Sequence, residues 1–176
     1  MTTNFWLSIP FSNFVRRGIA YLADCTLVVA VYLFSQVLVL TPIRNLFDTS
    51  WMQSGPRLEL YILLTISLPT WLYFALTERS AWQASLGKRL VGLRVVDAIS
   101  GRRITFGQAL LRTVIKLLPW ELAHLSVTIF SSNPTEMPIG VLVACLLFVG
   151  SGVAVLLMPR NRGVHDLVAR TAVVRQ

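Results

Sequence analysis

Charged side chains are scarce in this chain: 14% of residues, against 55% that are hydrophobic. Mean hydropathy is +0.65. Soluble domains carry about 25% charged residues, so the composition excludes an ordinary water-soluble domain and indicates a membrane protein. Acids are scarcer still, eight against 16 basic residues, for a net charge of +8. In a soluble chain that balance would point to nucleic acid. Here the basic residues sit in short segments between apolar runs, with no aromatic interleaving of the kind a single-strand groove needs. Nucleic-acid binding is therefore not expected, whereas the cluster Lys88, Arg89, Arg94, Arg102 and Arg103 is expected to set topology and touch anionic headgroups. Only Cys25 and Cys145 are present, both inside apolar runs. They supply no disulfide framework and read as packing residues. The two histidines, His124 and His165, have no ligand set around them at metal spacing. No serine elbow or paired-carboxylate pattern occurs either. Catalytic residues, metal ligands, a cofactor and enzyme activity are accordingly not expected.

Long apolar runs are plentiful. Gly18–Leu40 follows the pair Arg16-Arg17 and carries a single acid, Asp24. Twenty-three residues at ~1.5 Å each give a helix of roughly 35 Å, enough to cross a ~30 Å hydrocarbon layer. No small-x-small cleavage site follows, so this reads as an uncleaved first span. In the preceding aromatic-rich segment, Ser12 or Asn13 is placed to cap a short helix. Thr41-Pro42 marks the end of span one, and a polar loop runs to Arg57. Span two is Leu58–Leu76, with Pro69 inside it as a kink. Ile139–Met158 is an uncharged last span, with Gly140, Gly150, Ser151 and Gly152 for close packing. Ser131–Pro138 breaks the chain before it.

Two segments are less regular. Thr77–Thr105 is the most polar internal stretch. Its alternation over Arg89–Val96, the turn at Ser100-Gly101 and the following Ile104 and Phe106 predict a β-hairpin outside the hydrocarbon. Thr171–Val174 has strand character. Phe106–Phe130 is apolar yet contains Arg112, Lys116, Pro119, Glu121 and His124. It fits either a kinked third span with an inward polar face or an interfacial helix followed by a short buried one.

Charge distribution favours the first. With four spans, twelve basic residues share one side against two, Arg44 and Arg57, on the other. With three spans the count is eight against six. The positive-inside rule selects four spans with both termini cytoplasmic, as expected in an inner cell membrane. The fold expected is an all-α membrane protein: about four transmembrane helices and a small cytoplasmic β-hairpin in one domain over residues 1–176.

Three local patterns carry further information. Arg17-Gly-Ile-Ala-Tyr-Leu-Ala-Asp24 opens the first span. Ser85-Leu-Gly-Lys-Arg-Leu-Val-Gly-Leu-Arg-Val-Val-Asp97 is followed by Gly101 and by Ala109-Leu-Leu-Arg112. Arg162-Gly-Val-His165-Asp166-Leu-Val-Ala-Arg170-Thr171 lies near the C-terminus. Together, in this order and spacing, they resemble the RDD family of small multi-pass membrane proteins, over about Val15 to Val174. The arginine and two aspartates that name the family map onto Arg17, Asp24 and Asp166. The family usually has glycine where this chain has Arg170, so a tight glycine-type turn is not expected there. The resemblance implies a membrane protein often suggested to transport an unknown ligand, with no cofactor and no established chemistry.

The charged residues of the spans are the candidate site. A carboxylate inside a span costs about 2.5–3.5 kcal/mol, so Asp24 needs a partner or a wet cavity. Arg17 and Asp24 lie on one helix face, about 20° out of phase and ~10 Å apart along the axis. Arg112 and Lys116, four apart, share a face and are the expected partners of Asp24. Arg17 is expected either to snorkel to headgroups or to pair with Asp166. Asp166 is expected to cap a turn or to meet a nearby arginine, and Glu121 and His124 to share a proton path. Two functions fit. One is permeation of a small solute or ion around Asp24, in an oligomer. The other is a scaffold whose intramembrane charges hold a partner subunit.

Overall fold

A computed structural model describes residues 10–46, 50, 55–130, 138–158 and 161–176. The Ser131–Pro138 breaker, apart from Pro138 itself, lies outside them. Among the described residues, four helices are long and apolar enough to cross a membrane, with apolar spans in α1 (Phe14–Arg44), α2 (Gly55–Arg79), α4 (Phe106–Phe130) and α5 (Ile139–Leu157). Two short helices, α3 (Leu86–Leu90) and α6 (Val164–Val168), and two strands, β1 (Leu93–Asp97) and β2 (Thr171–Arg175), gather at one end of these spans. That end is called the sheet end below.

The spans run longer than the hydropathy pattern suggests. The helix that carries the α1 span starts before it, at Pro10, which needs no N–H partner there. Ser12 and Asn13 therefore lie within the helix and do not cap it. Thr41-Pro42 does not end α1 either, because a π-type turn over Gln36–Leu40 comes just before it. The proline ring would press on the carbonyl four residues back, Leu38, and that carbonyl lies in the widened turn. The same device recurs in α2, where Pro69 follows a π-type turn over Leu63–Ser67. α4 is one continuous helix with Pro119 inside it, long and apolar enough to span, and is not an interfacial helix followed by a separate short one. Its start is fixed by a capping box: Thr105 Oγ1 accepts from the Gln108 N–H at 3.2 Å, and Gln108 Oε1 accepts from the Thr105 N–H at 3.0 Å.

α4 is the hub, packed against α2, α5 and α6, while α1 packs mainly against the short α3. Of the last-span glycines, only Gly140 makes a close approach, to Ser126; Gly150 and Gly152 have nothing within 4 Å of an added Cβ. Cys145 is exposed on α5 rather than packed inside.

The β element is not a hairpin within residues 77–105. β1 pairs antiparallel with β2 from the C-terminal segment, Val95 opposite Val173 and Asp97 opposite Thr171. The stretch after the Ser100-Gly101 turn is drawn into the capped start of α4, so the tail supplies the second strand. One sheet face, with Leu93, Val95 and Val173, packs on Ala75 of α2 and Ala109 of α4. Arg170 precedes β2 at φ 52°, so the left-handed turn is kept with arginine where glycine is the easy residue.

Candidate functional site

At the sheet end, the charged residues of all three motifs converge. Asp166, in the first turn of α6, is fully buried and accepts from the Gly163 N–H at 3.0 Å. Arg17 of α1 donates to its Oδ2 at 2.8 Å, and Arg112 of α4 to its Oδ1. Arg17 is thus held by Asp166 and does not snorkel; its side chain is 13% exposed. Arg112 also donates to Thr171 Oγ1 at 3.0 Å, a hydroxyl aimed inward by the β1–β2 register. The Nε of Arg112 lies 2.8 Å from Glu78 Oε2, an ion contact off the line of the N–H. Glu78 is paired on its other oxygen with Lys88. Burial costs each of these charges its water. The lattice offsets that cost because each carboxylate meets two cations in a fixed geometry.

Asp24 departs from the expected pairing. Neither Arg112 nor Lys116 reaches it. Its carboxylate accepts from Tyr73 Oη at 2.8 Å, Ser85 Oγ at 2.6 Å and the Gly87 N–H at 2.8 Å. The last is a first-turn N–H of α3 with no intrahelical partner. This contact requires glycine: a Cβ on Gly87 would stand 2.1 Å from the Ala20 carbonyl oxygen. Lys88 is correspondingly not a lipid-facing topology residue but buried beside Glu78. Burial lowers its ammonium from 10.5 to about 8, against the pull of Glu78.

Arg17, Asp24, Arg112 and Lys116 line one cavity of about 250 Å³, together with Lys88 and His165. Apolar walls come from α1 and α5. His165 is pushed well below its ordinary 6.5, first by burial and then by Arg112, Lys116, Lys88 and Arg17. It is therefore neutral at pH 7, and its 3.7 Å approach to Asp166 is not an ion pair. Lys116 stacks on aromatic rings, its Nζ 3.5 Å from the Phe74 centroid and 5.2 Å from that of Tyr21.

A scan against family models matches residues 11–170 to the RDD family. The chain belongs to the RDD family. No curated protein and no solved structure matches it. In this RDD chain the name-giving Arg17 and Asp166 are bonded to each other, while Asp24 secures the α3 segment beside them.

A second polar group lies farther along α4. His124 places Nε2 2.9 Å from Glu121 Oε2 and Nδ1 3.0 Å from Glu59 Oε1 of α2. Trp71 Nε1 donates to Glu121 at 3.0 Å, and Ser67 Oγ donates to it at 3.1 Å. Thr128 Oγ1 donates to Glu59 at 2.6 Å. Glu121 and His124 are brought together as the i, i+3 spacing implies.

Several partners escaped the sequence reading: Glu59, Tyr73, Glu78, Ser85, Gly87 and Thr171. Glu78 and Glu59 carried a usable signal, since each is an acid close to the end of an apolar run. The others are neutral residues whose roles depend on what the fold brings against them.

Proposed function

We propose that this RDD protein is no enzyme but a small permeation or transport protein, moving a solute or ion through the cavity beside Asp24. The observation that supports it most is that cavity. A bundle needing only rigidity fills such space with apolar side chains. Here four cationic side chains and a histidine, drawn from α1, α3, α4 and α6, line about 250 Å³ at the sheet end of the spans. The Glu121–His124–Glu59 group is a second set of polar side chains farther along α4, outside the lining of this cavity. The basic excess at the sheet end supports a cytoplasmic placement of that end and of both termini, in the inner cell membrane. A homo-oligomer gives so thin a bundle a complete pathway wall.

The scaffold reading draws support from a different observation. Asp24, Glu78 and Asp166 are each satisfied within the chain, as a lattice built to orient helices would be. Purified chain in liposomes separates the two. Permeation predicts flux of an ion or solute above protein-free vesicles, falling in Lys116→Met while reconstituted protein is unchanged. A scaffold predicts no flux and a stoichiometric partner retained through purification in mild detergent.

A further inference from the structure

The charges around the cavity do not cancel. The cations are Arg17, Lys88, Arg112 and Lys116, and the anions Asp24, Glu78 and Asp166. With His165 neutral, one positive charge is left over. Among the described residues its location is evident. Arg17, Lys88 and Arg112 each contact a carboxylate, whereas Lys116 lies in the field of Glu78 and Asp24 but contacts neither, its ammonium stacked on the Phe74 and Tyr21 rings. One further donor is unspent: Arg17 Nη2 is buried and has no hydrogen-bond partner among the described residues. Lys116 and Arg17 line the same cavity, and its α5 wall is Phe148, Gly152 and Val155 with the one hydroxyl of Ser151 among them.

We infer that this cavity binds one phosphate-type anion, held by the Lys116 ammonium and the free Nη2 of Arg17. An ammonium and a guanidinium N–H are the donors such a group selects, and a partly desolvated site makes charge-assisted hydrogen bonds strong. One negative charge matches the single uncompensated cation. The volume, below the ~300–1,000 Å³ of drug-sized pockets, suits a headgroup or a small ion. Such an anion reaches the site from a lipid, with its apolar part along α5, or as free phosphate. This names the ligand chemistry of the permeation reading and rests on that reading for its cavity, but its test reads binding and not flux.

The test is calorimetric titration of the purified full chain in neutral detergent. The probes are short-chain phosphatidylglycerol, phosphatidylcholine of equal chain length, and inorganic phosphate. The expected result is one equivalent of phosphatidylglycerol bound, weakened about 10-fold by Lys116→Gln and less than about 3-fold by Lys116→Arg. Phosphatidylcholine is expected to bind at least about 10-fold more weakly than phosphatidylglycerol. Competition by inorganic phosphate supports a site that reads the phosphate group. Binding of inorganic phosphate alone, again lost in Lys116→Gln, supports the site with a free anion as its source. Equal binding by wild type and Lys116→Gln, or binding of neither anion, overturns the inference. Should Lys116→Gln not fold, Ser151→Trp fills the cavity from its α5 wall, and undiminished binding in that variant overturns it equally. Binding without liposome flux keeps this inference and removes the permeation reading; flux without anion binding does the reverse.

Discussion

At the sheet end of α4, Asp166 and Glu78 are each clasped by two cations, and Asp24 by three neutral donors from fixed backbone positions. Toward the other end of the same helix, Glu121 and Glu59 share a single histidine, backed by hydroxyl and indole groups. The first network joins α1, α2, α3, α4 and α6, so losing one member strands charges on several elements. The second joins only α2 and α4, so losing one of its members touches fewer elements. Burial alone thus says little about function: what differs is how many elements each network ties together and with how many charges.

The largest effect separating the two networks is expected at Asp166. Asp166→Ala leaves two buried arginines without their shared acceptor and should cost about 3–5 kcal/mol, seen as loss of the folded, detergent-soluble species on melting. The double exchange Arg17→Asp with Asp166→Arg should not restore stability, because it sets a new arginine against Arg112. Full rescue would show that the lattice is a simple pair. Next comes Gly87→Ala, which drives a methyl into the Ala20 carbonyl, lifts α3 from α1 and should cost about 2–3 kcal/mol. Gly150→Ala, with open space around it, serves as the control and should stay within about 0.5 kcal/mol.

A smaller effect is expected from pH. Lys88 faces Glu78 of α2, Arg112 and Lys116 of α4, and Asp24 of α1, and with burial foremost its ammonium titrates near 8. Raising pH through 8 removes its proton and lowers the net charge of the cluster around Lys116 by one, so phosphatidylglycerol binding should weaken about 3- to 10-fold between pH 7 and pH 9. Affinity that is flat over this range would show that the charge on Lys88 does not act on the anion site. The smallest change is expected at the far network: Glu59→Gln retains acceptors for Thr128 and His124, so stability should move by less than about 1 kcal/mol. A loss as large as that of Asp166→Ala would erase the distinction between the two ends.

Parts of the candidate site were legible in advance. The spacing of Glu121 and His124 placed them in contact, and the motif order put Arg17 and Asp166 at the same end. The partner of Asp24 was not legible, because a buried acid calls for a cation by charge alone, while the fold supplied a tyrosine, a serine and a backbone N–H. Lys88 read as a surface charge because its neighbours Arg89 and Arg94 are basic, and nothing local shows that Gly87 draws it inward. The extended spans were hidden for a similar reason: Pro42 is a helix stop unless a π-type turn precedes it, and such a turn has no local sequence mark.

Apolar run length, basic-residue asymmetry and the motif order determined a four-span RDD protein with a strand near its C-terminus. These are sums over local residues, and the bilayer's thickness and its exclusion of unpaired charge translate them directly into spans. Tertiary structure alone decided which strand pairs with β1, that Asp166 serves two arginines, and that Lys116 is left without a carboxylate. Ion pairing in a medium of low dielectric depends on the distance between groups far apart in the chain, and only the packing of α1, α3 and α6 around α4 sets those distances.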